Sequence, residues 1–226
     1  MIYPKIISAT FLSRPNRFIA HVDIDGKTEI AHVKNTGRCK ELLVPGATVY
    51  LALSDNSERK TKYDLVSVQK GKRLINMDSQ APNRVFYEYL ELGRYISGVT
   101  KIKPEAKFGN SRFDFYVETE SRKIFIEVKG VTLEESGVVL FPDAPTERGV
   151  KHLNELVRCL HEGYEAQVVF VIQMDDVRYF TPNDKTHPEF GKALRKAEKE
   201  GAAIVALDCA VAPDNLNIGK TVQIRL

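Results

Sequence analysis

The stretch Ser111 to Gly130, S-R-F-D-F-Y-V-E-T-E-S-R-K-I-F-I-E-V-K-G, constrains the fold more than any other part of the chain. Two runs of β-branched and aromatic residues, 113–117 and 123–129, flank the polar cluster Glu118 to Arg122, which is the pattern of a β-hairpin. With the turn centred between Glu120 and Ser121, Val117 lies opposite Ile124 and Asp114 opposite Glu127. Opposed residues project from one face with Cβ atoms ~5 Å apart, and Lys129, two residues beyond Glu127, shares that face. Two carboxylates and an ammonium are therefore expected to converge at the open end of one hairpin. Like charges that close are unfavourable unless something sits between them. A hard divalent cation, Mg²⁺ or Mn²⁺, does this, because it takes oxygen ligands and needs only one or two carboxylates. The plainer alternative is a surface hairpin with an ordinary Glu127–Lys129 pair.

Asp-x12-Glu-x-Lys also resembles the signature of the PD-(D/E)XK nucleases. That resemblance implies Asp114 and Glu127 as metal ligands, the Val128 carbonyl as a third oxygen ligand, and Lys129 as the group that orients or activates the attacking water.

Earlier in the chain, residues 5–33 alternate in strand fashion, and Asp25-Gly26 is a strong dipeptide for a tight hairpin. Asp23-Ile-Asp25-Gly26 lacks the spaced ligands and closing Glu of a calcium loop. After Asn35 to Leu43, a short helix or loop, the runs Ala47 to Leu53 and Tyr63 to Gln69 complete five short strands, which suggests a small OB-like β-barrel. Such barrels bind single-stranded nucleic acid by stacking bases on aromatics beside basic residues. Phe11, Phe18, Tyr50 and Tyr63 are either stacking platforms or barrel core, and Arg14, Arg17, Arg38 and Lys40 are candidate phosphate contacts. Residues 1–80 hold 13 Lys+Arg against 8 Asp+Glu, a net +5, whereas the remainder holds 20 against 22. A basic module of residues 1–80 joined to a near-neutral one of residues 81–226 suits a polyanionic partner such as DNA.

Ser79 to Asn83 reads as the joint, with Ser79 or Asn83 as candidate cap of a helix whose core stripe is Val85, Tyr89, Leu92 and Ile96. Glu88, off that stripe, either faces the metal or solvent; Glu91 faces solvent. After the hairpin, Val138 to Phe141 is predicted as a third strand, and Thr146 as N-cap of a helix from Glu147 to about His161 with core residues Val150, Leu153, Val157 and Leu160. Arg148, Lys151 and His152 on another face either hold a phosphate or form a solvated first turn, and Arg112 is a further candidate DNA contact. The run Q-V-V-F-V-I-Q from Gln167 is a strand buried on both faces. A helix from Pro188 to Glu200, stopped by Gly201, a buried strand Ala203 to Leu207 and an edge strand Thr221 to Arg225 complete the chain. The predicted class is α/β (α+β overall): the barrel, then α-β-β-β-α-β, the core order of the PD-(D/E)XK fold.

Several segments together resemble the sugar fermentation stimulation protein A (SfsA) family: N35-T-G-R-C-K-E-L42, A81-P-N-R84, F108-G-N-S-R-F-D-F115, I126-E-V-K-G-V-T-L133, F141-P-D-A-P-T-E-R-G-V-K-H-L153 and A166-Q-V-V-F-V171. Cys39 stands where that family typically has methionine, and His187 where it typically has aspartate. The resemblance implies a DNA-binding protein with an OB-like N-terminal and a nuclease-like C-terminal domain. Two functions follow from it: Mg²⁺-dependent cleavage of DNA, or a DNA-binding regulator of sugar metabolism that retains the nuclease fold without turnover.

Other classes find little support. There is no tryptophan for a sugar platform, and no Walker A loop, Rossmann glycine pattern or H-E-x-x-H. No window approaches the ~18 apolar residues of a membrane span, and M-I-Y-P-K lacks signal-peptide character, so a cytoplasmic location is expected. Cys39, Cys159 and Cys209 are expected to be reduced and buried. A homodimer is left open as the oligomeric state.

Overall fold

The computed structural model describes residues 1–35, 37–54 and 58–226. Alternating apolar and polar residues build six strands in the N-terminal part: β1 (Ile6–Ser13), β2 (Ile19–Ile24), β3 (Lys27–Val33), β4 (Thr48–Leu53), β5 (Tyr63–Lys70) and β6 (Arg73–Asn76). Their order is β3-β2-β1-β4-β5-β6, and a parallel pairing of β3 with β5 closes the first five into a barrel. Asp25 and Gly26, at φ 52° and 79°, occupy the two left-handed positions of the β2–β3 turn, as an Asp-Gly pair should. Phe11 is 1% exposed within the barrel core, which decides for core over stacking platform at that position. Phe18 is 53% exposed, and Tyr50 and Tyr63 are half-buried. β6 was not expected; it pairs with β5 and carries the chain into the second domain.

The first helix, α1 (Ala81–Glu91), begins with Pro in its first turn, and its N-cap Gln80 makes no side-chain cap bond. Neither expected cap residue serves: Ser79 Oγ donates to the Lys34 carbonyl, and Asn83 lies inside the helix. The buried face is Val85, Phe86 and Leu90. Leu92 is 63% exposed, against expectation, because the helix stops at Glu91 and Gly93 turns left-handed at φ 63°.

There follow β7 (Val99–Phe108), β8 (Ser111–Thr119), β9 (Lys123–Val131), β10 (Glu134–Glu135), β11 (Val138–Phe141), α2 (Glu147–His161), β12 (Glu165–Ile172), β13 (Tyr179–Pro182), α3 (Pro188–Lys199), β14 (Ala203–Ala212) and β15 (Asn215–Thr221). The main sheet runs β15-β14-β12-β9-β8-β7, parallel across β9-β12-β14 and antiparallel at both ends. The order α-β-β-β-α-β is therefore present, but its members differ from those expected. β7 is the missing strand of the main sheet, and β11 joins β10 and β13 in a separate three-stranded sheet. V-T-K-I-K-P-E-A-K-F gives no clear strand signal because it is an edge. Lys101, Lys103 and Lys107 are exposed, and Pro104 lacks an N–H that only an edge can spare. The last edge strand is β15, which reaches the expected 221–225 only at Thr221; beyond it lies an isolated bridge, Phe180–Ile224.

The sheet has two apolar faces. On one, α1 packs Val85, Phe86 and Leu90 with Phe115, Val117 and Ile126; on the other, α2 and α3 pack Leu153, Leu156, Phe190 and Leu194 with Phe125 and Phe170. Gln173, just past β12, joins the domains: its main-chain O accepts from Asn76 N at 2.9 Å, and its Nε2 donates to Asn76 Oδ1 at 2.8 Å and Asp78 O at 3.0 Å. All three cysteines are free and buried, as expected. Among the described residues no helix is long and apolar enough to cross a membrane.

Candidate active site

β8 and β9 pair in the predicted register, from Glu118–Lys123 to Phe115–Ile126, and the ladder ends there. Asp114 comes next. On its other side, Phe115 pairs with Pro104 and Phe113 with Ala106, with Glu105 between them in the left-handed region at φ 53°. In a regular strand Phe113 and Phe115 would share a face. Here Phe113 packs on Phe125 and His152, while Phe115 packs on Phe86 and Tyr87 of α1. The strand turns over at Asp114, so Asp114 and Glu127 do not form the cross-strand pair that the alternation predicts. Instead Asp114 Oδ2 accepts the Val128 N–H at 2.7 Å, and Oδ1 accepts the Asn83 amide at 2.7 Å.

Glu127 is 3% exposed. Its Oε1 lies 2.5 Å from both Lys129 Nζ and His152 Nδ1. Its Oε2 is buried and has no hydrogen-bond partner among the described residues. Burial works against ionisation of Glu127, but the His152 hydrogen bond and the Lys129 ammonium outweigh it and hold the carboxyl below its usual range. Asp114 is the reverse: burial and then the Glu127 charge push its carboxyl up, against the Val128 N–H, Lys129 and Asn83. The site thus favours the charged form of one carboxyl and disfavours that of its neighbour.

This donor set fits a divalent ion. A carboxylate offers about four lone-pair sites; Asp114 uses two, and the Oε2 atom of Glu127 uses none. The N–H and C=O of an extended residue point to the same side, so the Val128 carbonyl faces the gap that Asp114 occupies. Among the described residues no three His, Cys, Asp or Glu side chains form a metal cluster. An ion here would rest on two carboxylates and a carbonyl, a ligand set that Mg²⁺ accepts when water and phosphate complete its shell.

His152 was expected on an outer face with Arg148 and Lys151, but the structure buries it against Glu127. Its Nε2 remains 3.4 Å from Arg148 Nε, at the wall of a cavity of ≈ 490 Å³ lined by Ser111, Arg112, Arg148 and Lys151. Arg112 is paired with Glu105 at 2.9 Å, and Lys151 reaches the Asn110 carbonyl at 3.2 Å. Ser111 Oγ is buried without a partner among the described residues. Thr146 caps α2 as predicted, accepting from Gly149 N at 3.1 Å. Glu88 is not brought to the acids: its carboxylate pairs with the Met1 α-amino group at 2.7 Å. Arg14 is turned inward onto main-chain carbonyls, so it is no free phosphate contact, whereas Arg17, Arg38 and Lys40 line a surface cleft. Sequence reasoning missed Asn83 and Ser111 as site residues. Both lie in quoted motifs, A81-P-N-R84 and F108-G-N-S-R-F-D-F115, but only the true start of α1 and the turn into β8 show which way they face.

Two family models cover the chain: the SfsA N-terminal OB domain over residues 12–77, and the sugar fermentation stimulation protein RE domain over residues 80–215. The chain belongs to the SfsA family. A sugar fermentation stimulation protein homolog of Desulfitobacterium hafniense is 63% identical over 226 residues, covering 100% of this chain and 99% of the relative. One of Ruminiclostridium cellulolyticum is 60% identical and covers 100% of each. The solved structure of Pyrococcus furiosus SfsA in complex with Ca²⁺ superposes with a TM-score of 0.90 at 28% identity, covering 100% of this chain and 98% of that one. The two departures from the family pattern leave the acids untouched. Burial pushes the Cys39 thiol up to about 12, which leaves it unreactive, and His187 precedes α3, where its Nδ1 accepts from Thr146 N at 3.3 Å.

Proposed function

We propose that this SfsA-family protein cleaves DNA phosphodiester bonds with a divalent metal, Mg²⁺ or Mn²⁺. The observation that carries this reading is the Glu127 carboxylate, buried with Oε2 unpartnered among the described residues and lying beside Asp114. Leaving a buried carboxylate oxygen unsatisfied costs free energy, and a bound cation removes that cost. The Ca²⁺ complex of the Pyrococcus furiosus relative supports an ion of this charge.

Glu127 Oε2, Asp114 and the Val128 carbonyl would hold the metal, which when bound supplies Lewis-acid stabilisation of phosphate charge and an acidified water. His152 fixes the Glu127 rotamer through its Nδ1. Asn83 and the Val128 N–H do the same for Asp114. Lys129, already against Glu127, orients the attacking water and donates hydrogen bonds where negative charge develops. Arg148, Lys151 and Arg112 seat the neighbouring phosphate, with Ser111 Oγ as an uncommitted donor. The two units divide the work, residues 1–80 for strand binding and residues 81–226 for cleavage.

The test is Mg²⁺- or Mn²⁺-dependent cleavage of DNA by the wild type, Asp114→Ala and Glu127→Ala. Cleavage by the wild type alone supports the reading. Equal activity in all three places the chemistry elsewhere, and binding without turnover in any metal makes the protein a non-catalytic DNA-binding regulator.

A further inference from the structure

Arg14, in the β1–β2 connection, spends its guanidinium on two loops at once. Nη1 donates to the carbonyls of Gly37 and Arg38 at 3.0 and 2.8 Å, and Nη2 to those of Arg17 and Asn35 at 2.8 and 2.7 Å. The planar fork of an arginine fixes such an arrangement as no lysine could. Arg17, Arg38 and Lys40 are carried on the loops so stapled, and among the described residues none of the three side chains is in an ion pair. They line a cleft of ≈ 740 Å³ that has an apolar side, Leu12, Leu43 and Pro45, and a far wall, Ala144 and Pro145, from the second domain. Phe18, exposed, belongs to the same β1–β2 end of the barrel.

A second cavity, of ≈ 340 Å³, shares Gly37, Ala144 and Pro145 with the first and runs between the domains to Gly130 and Thr146. Gly130 directly follows Lys129, and Thr146 starts the helix that carries Arg148 and Lys151. The second cavity thus reaches β9 one residue past Lys129 and the start of α2, and shares a wall with the cationic cleft; Asp114 and Glu127 line neither. Uncommitted cations over an apolar wall suit a nucleotide, with phosphate on the former and base on the latter. The volumes are those of small-ligand pockets, room for a nucleotide or two and not for a duplex. One carboxylate, Asp143, lines the narrower part, and its Oδ2 is turned against Gly37, 2.7 Å from where a Cβ there would sit.

We propose that this cleft holds one nucleic-acid strand, its phosphates on Arg17, Arg38 and Lys40, and leads it to the Asp114–Glu127 centre. The destination rests on the phosphodiesterase reading; the binding does not. The test is fluorescence anisotropy in EDTA, so that no cleavage intervenes, with a labelled 15-nucleotide single-stranded DNA, the same sequence as RNA, and the DNA duplex. The full-length wild type is compared with the Arg17→Ala/Arg38→Ala/Lys40→Ala variant at several salt concentrations. The expected result is preference of the wild type for a single strand over the duplex. The triple variant should bind that strand at least tenfold more weakly, with a salt slope smaller by about 2, as three lost contacts to a single strand require. The DNA and RNA arms say which sugar is accepted. An unchanged melting temperature of the triple variant excludes misfolding, since all three changes are at cleft-lining side chains. Equal affinity of variant and wild type, or equal affinity for duplex and single strand, overturns the inference. Lack of hydrolysis in Mg²⁺ with the anisotropy loss retained sinks the catalytic reading alone and supports the strand cleft.

Discussion

At the scale of single residues, the centre depends on which oxygen is committed and which is free. Glu127 Oε1 is held by Lys129 and His152, whereas Oε2 has no hydrogen-bond partner among the described residues. In the proposed metal site His152 would be an orienting partner outside the ligand set, and loss of such a partner typically costs about 10–100-fold. His152→Ala is expected to weaken Mn²⁺ affinity, measured by calorimetry, within that range. Glu127→Gln keeps the shape but removes the charge and should cost more than about 10²-fold, beyond the range of an outer partner. A His152→Ala effect as large as that of Glu127→Gln would mean that the imidazole is itself a ligand. Asn83→Ala removes a bond to Asp114 Oδ1 and is expected to resemble His152→Ala, since both act through a carboxylate.

The elements show where sequence reading succeeds and where it stops. The hairpin, the Thr146 cap, the double-faced β12 and the α3 helix ending before Gly201 were all legible, because each rests on local periodicity or capping. β7 was not, because an edge strand is written in lysines and tolerates Pro104, and β11 took its place in the expected sheet. The face switch at Asp114 was also hidden, since alternation alone assumes an unbroken strand. If the β7 lysines guard the edge, replacing Lys101, Lys103 and Lys107 together by Val should make the protein self-associate with rising concentration, as read by light scattering. In the barrel, closure of β3 on β5 is accompanied by Asp64, which accepts from Arg59 at 2.7 and 3.0 Å and lies 3.0 Å from His32 Nδ1. Burial works against its ionisation, but the Arg59 and His32 hydrogen bonds win and its carboxyl lies below the usual range. A depressed folded value stabilises above the unfolded value of ~3.9, and that stability is lost as pH falls through the folded one. Asp64→Asn should therefore cost about 1–3 kcal/mol at pH 7 in urea denaturation. The gap to wild type should close on acidification below the ordinary Asp range.

For the molecule as a whole, the two domains are joined by a buried polar seam rather than a simple linker. Gln173 reaches Asn76 and Asp78, Asp78 being held within the first domain by Lys34 at 2.8 Å, and Lys70 and Arg73 meet the buried Glu134 at 2.8 and 3.1 Å. Gln173→Leu removes two hydrogen bonds across the seam, each worth about 0.5–1.5 kcal/mol, while Asn76 Oδ1 and Asp78 O keep the N–H groups of Asp78 and Ala81. At about 2–4 °C per kcal/mol for a chain of this size, calorimetry should show melting lowered by several degrees. The seam also fixes the cationic loops of the barrel against the second domain, beside the cavity that reaches Gly130 of β9. Anomalous diffraction from a crystal equilibrated with millimolar Mn²⁺ tests the core of this account most directly. The account predicts a single strong peak bonded to Glu127 Oε2 and within ligand distance of Asp114. Saturating Mn²⁺ that binds elsewhere, or leaves Glu127 Oε2 without a bonded ion, would contradict it.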